Sequence, residues 1–158
     1  GDGTVTDLDT GLQWEQKTDD GTTVHDKDDG YTWSTAANGP ANGTVFSTFL
    51  RTLNAGTSGD GLTVTGCFAG RCDWRLPSVV ELASILTPGC SGGSPCVDQS
   101  AFGPTSSSVH WTATLVTPFT DSVYIVRFSD GVLGGCGGLA LFCATNESLA
   151  ARAVRNGL

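Results

Sequence analysis

The six cysteines of this chain fall into three close pairs, Cys67/Cys72, Cys90/Cys96 and Cys136/Cys143. Many connectivities are open to six cysteines. Gaps this short are nevertheless the pattern of small-loop disulfides formed in an oxidising compartment, and the three local pairings are the expected ones. Each closed loop would contribute about 2 to 2.5 kcal/mol by restricting the unfolded chain, against about 5 to 15 kcal/mol for a whole domain. Structural zinc is the competing use of clustered cysteines. It calls for Cys-x-x-Cys spacing or nearby histidines, whereas these gaps are longer and the only histidines are His25 and His110.

A chain of 158 residues is long enough to bury a core beside such staples, so one domain spanning residues 1–158 is expected. Only 15% of the residues are charged and 22 are glycine, which calls for many turns. The acidic residues outnumber the basic ones by 16 to 8, for a net charge of −8. Such a surface repels phosphate backbones and anionic lipid, so nucleic acid is not an expected partner. No apolar run approaches the roughly 18 residues of a spanning helix, so membrane insertion is not expected either. The chain has no Met, so Gly1 is not a translation start. With the cysteine pattern, this leads to the expectation of an extracellular or cell-surface protein whose signal segment has been removed.

Along the chain, Thr4, Val5 and Thr6, a turn at Asp9 to Gly11, then Leu12 and Trp14 predict a β-hairpin. Residues 18–30, TDDGTTVHDKDDG, have no apolar period and read as a solvated acidic loop. Asp26, Asp28 and Asp29 beside the turn at Gly30 could offer hard oxygens to calcium, although the spacing lacks the EF-hand order and its closing Glu. Calcium is the only cofactor that the residues suggest. Residues 31–37 read as a short helix carrying Trp33. Phe46, Phe49, Leu50 and Leu53 recur at i, i+3, i+4 and i+7, the stripe of an amphipathic helix that ends before a Gly-rich loop at 56–61. Ser78 and Glu81 form a capping box after Pro77, and the helix they start is expected to reach about Leu86. Residues 110–114, 123–128 and 152–155 read as strands, with a hairpin turn at Asp130-Gly131. The order predicts an α+β domain, two or three helices packed on one small twisted antiparallel sheet and stapled by disulfides.

The segment GCFAGRCDWRLPSVVEL, residues 66–82, concentrates the chemistry. A reactive thiol would need a low pKa and a neighbouring base or metal, but Cys67 and Cys72 have a nearer use in bridging each other and no His is present. Asp73, Trp74, Arg75, Pro77 and Glu81 read instead as a structural clamp. The Arg75 guanidinium could lie on an aromatic face while pairing with Asp73, Glu81 or Asp130, and if buried the loss of one partner would cost about 3 to 5 kcal/mol. Elsewhere there is no nucleophile elbow, no phosphate loop and no paired His for zinc, so an enzyme is not expected.

Five pieces resemble one bacterial family in collinear order: GDGTVTD-x-x-TGL-x-W at 1–14, FAG-x-x-DWRLP-x-x-x-EL at 68–82, WTAT at 111–114, FSDG at 128–131 and RAVR at 152–155. The chain is similar to the Lcl-type C-terminal domain family, named for a bacterial collagen-like adhesin. The resemblance implies secreted or surface proteins and a C-type-lectin-like fold, which also includes formylglycine-generating enzymes. An oxidoreductase-like activity follows only by that fold analogy. His110 departs from the family pattern, which commonly has Tyr there.

Two functions remain in competition. A recognition or adhesion module would bind a glycan or a surface protein, with Tyr31, Trp33 and Trp111 as candidate loop aromatics, Tyr31 and Trp33 forming a ligand loop. A structural subunit would assemble with copies of itself into a filament or layer. Its motive is Leu139, Leu141 and Phe142 between Cys136 and Cys143, four adjacent apolar positions with Ala140 in a Gly-flanked loop.

Overall fold

Asp7 organises the first turn: its carboxylate accepts from the amides of Asp9 and Thr10, and Gly11 takes a left-handed φ of 71°. The computed structural model, which describes residues 1–55, 66–90, 92, 94–138 and 143–157, places this turn between β1, Thr4–Thr6, and β2, Leu12–Glu15. The two strands pair antiparallel with Val5 opposite Trp14. A two-stranded hairpin is marginal by itself. The last strand, β6 (Val154–Asn156), completes this sheet by pairing with the free edge of β2, Trp14 opposite Val154.

A second sheet has the order β3, β4, β5, from Val109–Leu115, Val123–Arg127 and Leu133–Cys136, all antiparallel. The expected turn at Asp130-Gly131 joins β4 to β5, with Gly131 at a φ of 72° and Arg127 bound to Asp130. Two small sheets thus replace the single one expected. Periodicity marks a strand but not its neighbour, so the sequence pattern of 152–155 gave no sign that it returns to the hairpin.

β4 shows why the helices do not share one surface. Val123 and Ile125 belong to one hydrophobic cluster, while Val126 and Phe128, on the opposite side of the pleat, belong to another. A π-helical turn, Val45–Leu50, runs directly into α1, Arg51–Ala55. Its Val45, Phe49 and Leu53 join Trp111, Val123 and Ile125 in the first cluster. The helix α2, Val79–Ser84, puts Leu82 and the following Ile85 in the second cluster with Trp14, Phe128 and Val154. The capping box forms as expected: Ser78 Oγ accepts from the Glu81 amide at 3.2 Å, and Glu81 accepts from the Ser78 amide at 2.7 Å. The helix stops at Ser84, two residues short of Leu86. A further one-turn helix, α3 (Gln99–Phe102), is started by Asp98 and lies against β1.

Residues 31–37 are not helical. Tyr31 exchanges backbone hydrogen bonds with Leu149, and the amides of Trp33 and Ser34 both donate to the Thr145 carbonyl. These distant partners satisfy the polar backbone that a helix would otherwise have to satisfy within itself.

All three local disulfides are present, with Cα separations of 5.1 Å for Cys67–Cys72, 5.6 Å for Cys90–Cys96 and 4.6 Å for Cys136–Cys143. No described helix is long and apolar enough to cross a membrane. The apolar positions Leu139, Leu141 and Phe142, and the Gly-rich loop at 56–61, lie outside the described residues.

Candidate functional site

The clamp residues divide between two ion pairs. Arg75 meets Glu81 in a two-pronged contact, Nη1 to Oε2 at 2.8 Å and Nη2 to Oε1 at 2.7 Å. This pair holds the Glu81 carboxyl down to about 2, against burial that pushes the other way. Asp73 belongs to Arg155 instead, at 2.7 Å, and Asp130 to Arg127. Trp74 is buried and its indole donates to the Phe68 carbonyl; Pro77 is buried between Leu76 and the capping box. The condition of burial on which the larger cost depended is not met, because the Arg75 side chain is 43% exposed.

The buried charges lie elsewhere. β2 is the central strand of its sheet and is covered on both faces, which brings Glu15 inside with Trp14. Glu15 Oε1 receives Lys17 Nζ at 3.0 Å and meets His25 Nδ1 at 2.8 Å, while Oε2 accepts from the Ala153 amide. Burial opposes ionisation of Glu15, yet Lys17 and His25 hold its carboxyl below the usual range. Lys17 also lies over the Phe49 ring, 4.5 Å from its centre. Arg152 is fully buried and donates to the carbonyls of Glu15 and Phe102 and to the Thr105 hydroxyl. Burial pushes its guanidinium down to about 10, so it stays charged at neutral pH. His110 stacks on Phe128 with ring centres 3.9 Å apart, and burial, then repulsion from Arg152, push it down to about 3. The neutral ring donates through Nδ1 to the Ser108 carbonyl. Apart from the Arg152 Nε, which has no partner among the described residues, these groups bond within the protein, the arrangement of a structural network.

The acidic loop does not gather its carboxylates. Asp26 is buried and accepts from the Gly21 and Asp28 amides, Asp28 pairs with Lys27, and Asp29 accepts from the Tyr31 hydroxyl. Among the described residues, no group of three or more His, Cys, Asp or Glu is arranged to hold a metal ion.

Tyr31, Trp33 and Trp111 are buried, which corrects the expectation of exposed loop aromatics. Trp111 reaches across the first cluster, its indole donating to the Tyr31 carbonyl at 2.6 Å. Trp33, however, forms part of the wall of an open groove of about 630 Å³. The loop at 32–44 makes one side. Thr32 and Thr44 exchange amide-to-hydroxyl bonds at 2.8 and 3.1 Å, the Gly43 amide donates to the Trp33 carbonyl, and Asn42 Oδ1 accepts from the Thr35 amide. This stitching holds out Asn38, at a left-handed φ of 57°, and Pro40. The other side is the end of β3, with Ala113 and Leu115, and the loop before β4, with Asp121. Phe46 stands edge-on to Trp33, ring centres 5.8 Å apart, and also lines the groove. The indole N–H of Trp33 has no partner among the described residues. Gly138 comes so close to this rim that a Cβ there would sit 2.8 Å from Asp121 Oδ2. A concave, mostly apolar groove of this size, with a few polar groups at its edge, has the form of a ligand site.

Residues 3–155 match the sequence profile of the Lcl C-terminal domain family. The chain belongs to this family. Comparisons with curated proteins and with solved structures return no match. In this Lcl C-terminal domain the residues that carry the resemblance are largely scaffold: the hairpin at 1–14, the buried Trp74 and Trp111, the Arg75–Glu81 pair, and the two arginines of RAVR, one buried and one bound to Asp73.

Sequence reasoning on the Lcl C-terminal domain overlooked the Glu15, Lys17 and Arg152 cluster. The available signal was two charges, in WEQK, at the end of a predicted strand in a chain with few charges. It overlooked the groove as well, since Asn38 is far in sequence from Leu115 and Asp121 and the three carry no common motif.

Proposed function

We propose that this chain is the recognition module of an extracellular bacterial surface protein, a non-catalytic adhesion domain on a disulfide-stapled scaffold of C-type-lectin-like kind. The observation that carries this reading is the open groove of about 630 Å³ between the 32–44 loop and the end of β3. Membership of a family named for an adhesin points the same way. The buried Glu15, His110 and Arg152 and the partly exposed Glu81 owe their perturbation to burial and to partners within the fold, which favours binding over chemistry. Filling the groove is the direct test. Beads coated with the oxidised protein should adhere to bacterial or host-cell surfaces, and Ala113→Trp should abolish adhesion with an unchanged melting temperature. Full adhesion by a folded Ala113→Trp variant would remove the groove from this role.

A second reading, a self-assembling subunit, is favoured by one observation. Among the described residues β5 has no neighbouring strand beyond β4 except a single bridge from Cys136 to Cys143, and Leu133 within it is 51% exposed, next to the exposed Val132 and, across the sheet, the exposed Tyr124. Such an edge is a template for a further strand. Size-exclusion chromatography and electron microscopy separate the readings: regular fibres support assembly, and discrete monomers support recognition.

A further inference from the structure

We infer that the groove takes a cationic segment of a partner protein, one that seats an aromatic or branched apolar side chain against Trp33 and Phe46 and brings its positive charge to Asp121. This rests on the reading of the groove as the recognition site and adds the chemistry of the occupant.

Three observations lead to it. The first is the lining. Trp33, Pro40, Phe46, Ala113 and Leu115 give an apolar trough, which suits the side chain of a peptide better than the hydroxyls of a sugar.

The second is charge. Asp121 is the single ionisable residue in the lining, and no cation pairs with it among the described residues. All eight Lys and Arg residues of the chain are accounted for without the groove. Five are in ion pairs with Glu15, Asp28, Glu81, Asp130 and Asp73, Arg152 is buried on carbonyls, and neither Arg51 nor Arg71 lines it. An anionic ligand would therefore meet a carboxylate with no counter-charge, inside the field of a protein of net charge −8. A cation meets the reverse: a carboxylate whose only side-chain partner among the described residues is the Ser122 hydroxyl at 3.3 Å, beside aromatic rings whose faces attract positive charge.

The third is rigidity. The 32–44 loop is fixed by reciprocal hydrogen bonds, and Thr145 ties it to the body of the protein through its carbonyl and hydroxyl. The opposite wall is anchored where the Val116 amide donates to the Ser122 carbonyl. Both walls are held before a ligand arrives, which lowers the ordering cost of binding.

The test uses the oxidised, isotope-labelled full chain and three synthetic peptides: one with Phe between Lys and Arg, its Glu-substituted counterpart, and a basic peptide with Ala for Phe. Two-dimensional NMR should show the first peptide moving the Trp33 indole and Asn38 amide signals saturably. The other two should leave them in place. Asp121→Asn, at a half-buried position, should keep its melting temperature and bind about fivefold to tenfold more weakly. Unchanged affinity in Asp121→Asn, or shifts confined to the 18–30 loop, would overturn the inference. A neutral oligosaccharide that moves the groove signals where the peptide does not would overturn the cationic class but keep the groove. Concentration-dependent shifts without any peptide would assign the groove to a second copy instead, and signals that no probe moves would sink both the inference and the reading beneath it.

Discussion

The cost of removing a charged side chain depends on where its partner is left. Glu15 is fully buried between Lys17, His25 and the Ala153 amide, and Glu15→Gln would leave the Lys17 ammonium in the interior beside Arg152 without its paired carboxylate, with only the weaker influence of Asp29. The expected loss is about 3 to 5 kcal/mol, measured by urea unfolding. Arg75→Ala breaks a better-looking contact, two short bonds to Glu81, but at 43% exposure water takes over and about 1 kcal/mol is expected. The motif-rich segment was therefore legible as structure, while its energetic weight was not, because a sequence does not display burial. His110 adds a pH dependence. Its folded value of about 3 lies below the ordinary 6.5, so the unfolded chain binds the extra proton between them. The stability it contributes is complete above about 6.5 and drains away as the pH falls toward 3. From pH 6.5 to 5 the loss should be about 2 kcal/mol, before most carboxylates protonate. His110→Phe keeps a ring against Phe128 and cannot protonate, so its unfolding free energy should stay flat over that interval; an equal loss in the variant would place the acid sensitivity elsewhere.

At the scale of elements, local signals were legible and long-range pairings were not. The i, i+3, i+4, i+7 stripe at 46–53 found its helix because Phe49 and Leu53 face one cluster, and the capping box found the start of α2 because its chemistry lies within four residues. The 31–37 segment misled, since its backbone partners are Leu149 and Thr145, more than 100 residues away by number and invisible to a window of neighbours. The groove fell in the same blind spot, for its two walls come from 32–44 and 113–121. Ser78→Ala isolates a local device: it removes the hydroxyl that accepts from the Glu81 amide and should cost about 1 kcal/mol, read from thermal or urea unfolding. The disulfides act at this scale too. Each ties a loop of few residues, so opening Cys67–Cys72 with Ser at both positions should cost about 2 kcal/mol by chain entropy, and an unchanged melting temperature would deny the staple that role.

The whole molecule depends on β4, whose two faces close two different clusters. Val123 and Ile125 meet Trp111 and the helix at 45–55 on one side, while Val126 and Phe128 meet Leu82, Trp14 and the other sheet on the opposite side. Neither cluster can lose this strand without exposing the other, so both should melt in one transition although the strands form two separate sheets. The groove draws its stiffness from the same source: Trp33 and its neighbour Phe46 belong to the first cluster, and Ala113 and Leu115 lie on β3, the strand paired to β4. A cavity made on the far side of β4 tests the coupling. Val126→Ala should remove on the order of 2 kcal/mol from the second cluster. Hydrogen exchange at the amide of Trp111, a first-cluster residue bonded to the Ala150 carbonyl, should then quicken by the same free energy as exchange at Trp14 in the second, and near-ultraviolet circular dichroism should follow far-ultraviolet at every denaturant concentration. Faster exchange at Trp14 with no change at Trp111 would mean that the clusters unfold independently. The groove would then keep its shape when the hairpin sheet opens, held by the first cluster and the Val116–Ser122 bond without support from the second cluster.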